Sequence, residues 1–101
     1  MIKLFQILSE ININKPIKKR FNAYHTNLKT AGGFKEYWVD CLDFPNFDSL
    51  GFYGVLDGNN MVSNYNPTLS IFLDNDKIEY EKFTEDNKEH IAIPIRYFNL
   101  K

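Results

Sequence analysis

Residues 51–65 read Gly51-Phe52-Tyr53-Gly54-Val55-Leu56-Asp57-Gly58-Asn59-Asn60-Met61-Val62-Ser63-Asn64-Tyr65. Two short runs, Gly51–Leu56 and Met61–Tyr65, flank Asp57-Gly58-Asn59-Asn60. Gly and Asn take up positive φ at little cost, so the stretch predicts a β-hairpin. The neighbouring sequence is then read as sheet. Upstream, Glu36–Leu42 alternates, with Tyr37, Val39 and Cys41 on one side and Trp38 and Leu42 on the other. A loop, Phe44-Pro45-Asn46-Phe47-Asp48-Ser49, joins the two.

Downstream, Asn66-Pro67 punctuates the chain. Thr68–Leu73 and Lys77–Phe83 read as a second hairpin around Asp74-Asn75-Asp76, with Leu69, Ile71 and Leu73 sharing a buried face with Ile78 and Tyr80. Thr84–His90 is polar and reads as a loop or one helical turn. Ile91–Leu100 closes the chain with Ile91, Ile93, Ile95 and Tyr97 on one face. Pro94 removes a ladder donor, which places that strand at a sheet edge or at a bulge.

Towards the N-terminus, Lys15–Ala31 is the predicted main helix. Asn14 is a suitable N-cap, Pro16 fits the first turn, and Ile17, Phe21, Tyr24 and Leu28 recur at helical spacing. Gly32-Gly33 supplies the stop, and Lys18, Asn22, His25 and Lys29 form a basic opposite face. Ile2–Ile13 fits both periods, and its isoleucines favour a strand. The sum is α+β: one main helix over about residues 15–31, packed on a twisted antiparallel sheet of five to seven short strands.

With 101 residues, the chain predicts one globular domain over residues 1–101. One cysteine rules out an internal disulfide, no signal peptide is visible, and no run is long enough to span a membrane, so a cytoplasmic protein is expected. The net charge of −1 hides an asymmetry. Residues 1–35 carry seven cations against Glu10, whereas residues 36–101 carry twelve acids against five cations. Such an imbalance points either to a charged partner or to one half packing beside the other.

Candidate chemistry is sparse. Cys41 falls on the apolar face of a strand, and neither His25 nor His90 belongs to a nucleophile motif, so no catalytic residue is assigned. Asp74-Asn75-Asp76 lacks the glycine and glutamate of a calcium loop and reads as a turn, and Asp40 and Asp43 point to opposite faces of a strand. Gly32-Gly33 follows a helix, whereas a phosphate loop precedes one. No metal and no cofactor are expected. Lys15, Lys18, Lys19, Arg20, His25 and Lys29 could meet phosphates, but Phe21 and Tyr24 lie on the apolar stripe and the acidic centre repels a polyanion. Direct nucleic-acid binding is therefore not expected.

That centre is Glu36–Asp76, whose seven acids (Glu36, Asp40, Asp43, Asp48, Asp57, Asp74, Asp76) are unaccompanied by any Lys, Arg or His. It also holds Trp38 and many of the phenylalanines and tyrosines. Ordinary surfaces intersperse both signs of charge, and Trp and Tyr are frequent interface anchors. The bland account makes the aromatics core and the acids solubilising. The sharper one makes Trp38, Asp40, Asp43, Phe47, Asp48, Tyr53 and Asp57 a surface for a basic protein partner.

In size, in this acid-only aromatic segment, in its Asn/Lys/Ile-rich composition and in its lack of catalytic motifs, the chain resembles the small immunity proteins paired with bacterial contact-dependent growth-inhibition toxins. The resemblance spans the chain but rests on no diagnostic motif, so no binding residue is carried over by position. It implies a cognate toxin domain, of nuclease type, as the partner. A phage-encoded anti-defence inhibitor would use the same physics. A nucleic-acid-associated regulator would instead use the basic helix.

Overall fold

The structure, a computed structural model, describes residues 19–42, 44 and 50–101. The described residues form a seven-stranded mixed sheet with one helix, an α+β architecture. The strands are β1 (Phe21–Lys29), β2 (Lys35–Asp40), β3 (Gly51–Asp57), β4 (Asn60–Asn64), β5 (Glu81–Glu85), β6 (Lys88–Pro94) and β7 (Phe98–Leu100). The helix, α1, is Pro67–Asn75, and a 3₁₀ turn, Ile95–Tyr97, separates β6 from β7. In space the order is β5-β6-β4-β3-β2-β1-β7. Every neighbouring pair is antiparallel except β1–β7, which is parallel and makes the sheet mixed.

The predicted hairpin forms as β3 and β4, with Asp57 opposite Asn60 and Gly58 at φ +61°. β2 also alternates as read, burying Tyr37 and Val39 and, just beyond its end, Cys41. The main helix does not form where it was expected: residues 21–29 are a strand. Phe21 is fully buried, yet Tyr24 and Leu28, its partners on the proposed helical stripe, are 41% and 63% exposed. Ala23, which that stripe ignores, is fully buried. A period of two therefore prevails, because pairing with β2 on one side and β7 on the other outweighs local propensity. Gly32-Gly33, read as a helix stop, lies in the β1–β2 turn with Gly33 at φ +83°. Residues 15–18, and the Ile2–Ile13 segment read as a strand, lie outside the described residues.

The helix sits where a hairpin was expected. Asn66 caps it, its side-chain oxygen accepting from the backbone N–H groups of Thr68 (2.8 Å) and Leu69 (3.4 Å), and Pro67 occupies the first turn. Leu69 and Leu73, four apart, are buried, while Ile71 is exposed. Helical period thus replaces the alternation that grouped all three. Lys77 at φ +56° ends the helix, and the Ile78 N–H donates to Leu73 O (2.9 Å). Asp74-Asn75-Asp76 is the helix C-terminus, not a hairpin turn.

The C-terminal third departs from the expected pattern at two places. Thr84–His90 is a hairpin, with Asp86 and Asn87 at φ +53° and +64° between Glu85 and Lys88. Ile91–Leu100 is not continuous. Pro94 ends β6, which lies between β4 and β5 rather than at an edge, and Ile95 and Tyr97 fall in the 3₁₀ turn.

That turn dictates the shape. β6 and β7 stand five inter-strand steps apart in the order, about 24 Å in a flat sheet. Four residue steps from Pro94 to Phe98 reach at most about 14 Å. The sheet must therefore curl until β7 approaches the end of β6. Its concave side holds the core: Phe21 and Ala23 from β1, Tyr37 and Val39 from β2, Met61 from β4, Ile91 and Ile93 from β6, and Phe98 from β7. Phe21 stacks on Phe44 (ring centroids 3.7 Å) and lies 5.5 Å from Phe98. Gly54 leaves room for Met61, whose Cγ and Sδ would lie 2.6 and 2.8 Å from an added Cβ.

Candidate functional site

The convex side of the sheet carries what the core does not use. Side chains alternate across a strand, so the register decides which outer residues become neighbours. Tyr24 of β1 stands opposite Trp38 of β2, and Trp38 opposite Tyr53 of β3. Trp38 and Tyr53 meet edge-to-face with centroids 4.9 Å apart. Tyr24 and Tyr53 are 41% and 60% exposed. On the far side of β4, Phe83 and His90 pair across β5–β6 and stack at 5.3 Å. Aromatic rings thus recur across the outer face.

Against this face lies a groove of about 340 Å³. Phe34 and Tyr53 supply aromatic surface, Val55 and Val62 an apolar floor, and Glu36, Asp57 and Glu85 three carboxylates. His90 is also in the wall, and among the described residues no Lys or Arg lines it. Glu36 is half-buried on β2, with the Thr26 hydroxyl 3.4 Å from its Oε1. Asp57 and Glu85 are exposed, each the last residue of its strand before a hairpin turn. Phe34 reaches the groove from the β1–β2 turn, its ring lying over Gly32, where an added Cβ would meet it at 3.0 Å. Three negative charges over an apolar, aromatic floor suit a cation carried on a hydrocarbon stem, the chemistry of a Lys or Arg side chain.

The sequence-derived site residues separate into three groups. Trp38, Tyr53 and Asp57 lie on the outer face, with Tyr53 and Asp57 in the groove wall. Asp40 closes β2, its Oδ1 accepting from the Leu42 N–H (2.9 Å), and does not line the groove. Asp43, Phe47 and Asp48 lie outside the described residues. No known family, curated protein or solved structure matches this chain.

Sequence reasoning left Phe34 and Glu85 out of the site, weighed His90 only for nucleophilic catalysis and counted Glu36 only as one acid among seven. Period-two alternation backwards from Trp38 would have placed Glu36 and Phe34 on its face. Nothing local brings in Glu85 and His90, which arrive through the β4–β6 pairing. Cys41 is fully buried, and that burial, with Asp40 close by, pushes its thiol up to about 12, so it holds almost no thiolate at neutral pH. Among the described residues no helix is long and apolar enough to cross a membrane.

Proposed function

We propose that this protein is an inhibitor of the immunity type, which neutralises a cognate basic toxin domain, of nuclease type, by binding it through the acidic, aromatic outer face of the sheet. The observation that supports this most directly is the groove in which Glu36, Asp57 and Glu85 converge on Phe34 and Tyr53. The carboxylates steer a cationic surface during encounter and then hold its Lys or Arg side chains where nucleic-acid phosphates would otherwise bind. Trp38 and Tyr53 supply rigid apolar contact at little entropic cost. The rival basic-helix route to nucleic acid loses its helix over residues 21–29.

The test is capture of partners from the source cell on the immobilised chain and on the Glu36→Lys, Asp57→Lys, Glu85→Lys variant. The parent is expected to retain a basic protein that elutes with salt, and the variant to lose it. Equal retention by a folded variant, or a captured set without basic proteins, refutes the proposal.

A further inference from the structure

Among the described residues the sheet ends at β5, which has a strand neighbour on one side only. Asp86 and Asn87 form a two-residue turn with both φ positive, so Glu85 and Lys88 exchange hydrogen bonds across the ladder. The alternation then directs the N–H and C=O groups of Glu81, Phe83 and Glu85 towards β6. Those of Lys82 and Thr84 point away from the sheet, where no described strand meets them. Unpaired edges of this kind are templates for another strand, and proteins blunt them with prolines, bulges, short strands or charged side chains, which restrict the partners an edge accepts. β5 contains no proline or bulge. Its one lysine is turned to the opposite face, where Lys82 Nζ lies 4.2 Å from the Tyr65 ring centroid and 3.5 Å from Glu89 Oε1.

Charge indicates what the edge accepts. The outer face of β5 presents Glu81, Phe83 and Glu85, and among the described residues neither glutamate has an ion-pair partner. Two copies of β5 paired antiparallel along their full length would set Glu81 opposite Glu85 twice, and like charges directly opposite are destabilising. The edge therefore disfavours its own copy. In a strand added beside Lys82 and Thr84, the residues facing Glu81, Phe83 and Glu85 occupy the non-hydrogen-bonded positions, where side chains approach most closely. Cations at the first and fifth positions and an apolar residue at the third fit that row.

We propose that β5 is the docking edge for an extended basic segment of the partner, which joins the sheet as an added strand with one cation facing Glu81 and another facing Glu85. This rests on the acidic-face reading and extends it, since Glu85 belongs to both the edge and the groove. Main-chain hydrogen bonds to Lys82 and Thr84 supply register, and the two glutamates supply selectivity.

The probe is the peptide acetyl-Thr-Lys-Thr-Val-Thr-Lys-Thr-amide, titrated into the full ¹⁵N-labelled chain, with a second peptide carrying Glu in place of Lys. The lysine peptide is expected to shift the Lys82 and Thr84 amides and slow their exchange with solvent, and the glutamate peptide to leave them unchanged. Thr84→Pro removes an outward N–H that the β5–β6 ladder does not use, so the fold is retained and affinity falls about tenfold or more. If Thr84→Pro does not fold, Glu81→Lys with Glu85→Lys serves instead and should reverse the preference to the glutamate peptide. Overturning results are no amide shift with the lysine peptide at millimolar concentration, equal binding by Thr84→Pro, no reversal in the charge-swapped variant, or a self-association of the parent that Thr84→Pro abolishes. The two readings fail separately. If Glu36→Gln with Asp57→Asn keeps the captured partner and Thr84→Pro loses it, the groove reading falls and the edge stands; the reverse result overturns the edge.

Discussion

Gly54→Ala is a sharp test of how the concave side is filled. The added methyl would start 2.6 Å from Met61 Cγ and 2.8 Å from its Sδ, both well inside contact distance. Methionine is flexible, but Met61 is fully buried, so its displacement must propagate into neighbouring side chains. Overpacking of this kind costs about 1–3 kcal/mol. For a domain of this length each kcal/mol lowers Tm by about 4–8 °C, so a fall of roughly 5–20 °C is expected. Met61→Ala alone should cost about 2–5 kcal/mol through the cavity it opens. In the double variant the new methyl enters that cavity, and the combined loss should be about 1 kcal/mol or more smaller than the sum. Chemical denaturation of the four proteins, with m-values compared, measures the cycle. A Gly54→Ala protein within about 0.5 kcal/mol of the parent, or strict additivity, refutes the reasoning.

Asn66→Ala should cost about 1 kcal/mol by freeing the Thr68 and Leu69 N–H groups, with Asn66→Asp retaining most of the stability in the same urea titration. Cys41 should resist alkylation at pH 8 until the protein is unfolded. Its folded-state pKa is raised, from 9.0 to about 12, so the unfolded chain loses this proton first. The Cys41 contribution to stability is accordingly complete below about pH 9 and is lost as pH rises towards 12, and stability in Cys41→Ala should fall less steeply across that window. Removing the exposed carboxylate with Asp57→Asn should slow association with a captured basic partner at low salt and converge with the parent as salt rises, which stopped-flow kinetics will show.

The parts of the fold legible in sequence were those where local chemistry and tertiary demand agree. Asp57-Gly58-Asn59-Asn60 forces a tight turn whatever surrounds it, and the alternation of Tyr37, Val39 and Cys41 matches a strand with one buried face. Residues 21–29 misled because Phe21, Tyr24 and Leu28 satisfy a helical period by coincidence, while the strand is fixed by pairing with β2 along most of its length and with β7, far along the chain, at Phe21–Ala23. Asn66-Pro67 carried its signal in plain view: the same two residues that punctuate a loop also cap a helix and fill its first turn. For the site, Trp38, Tyr53 and Asp57 were recoverable because adjacent strands carry them. Glu85 and His90 were not, because β6 reaches β4 only after α1 and β5 intervene.

The parallel pairing of β7 with β1 also bears on the order of assembly. Asn22 and Asn99 are 77 positions apart, whereas the β3–β4 and β5–β6 hairpins each close over a two-residue turn. Local closures cost little chain entropy and form within microseconds, while a contact across most of the chain becomes favourable only when its neighbours are in place. Phe98 should therefore dock on Phe21 after the folding barrier is crossed. Trimming it to leucine should leave the refolding rate nearly unchanged and accelerate unfolding, so that the latch between β1 and β7 governs how long the native state survives rather than how quickly it is reached.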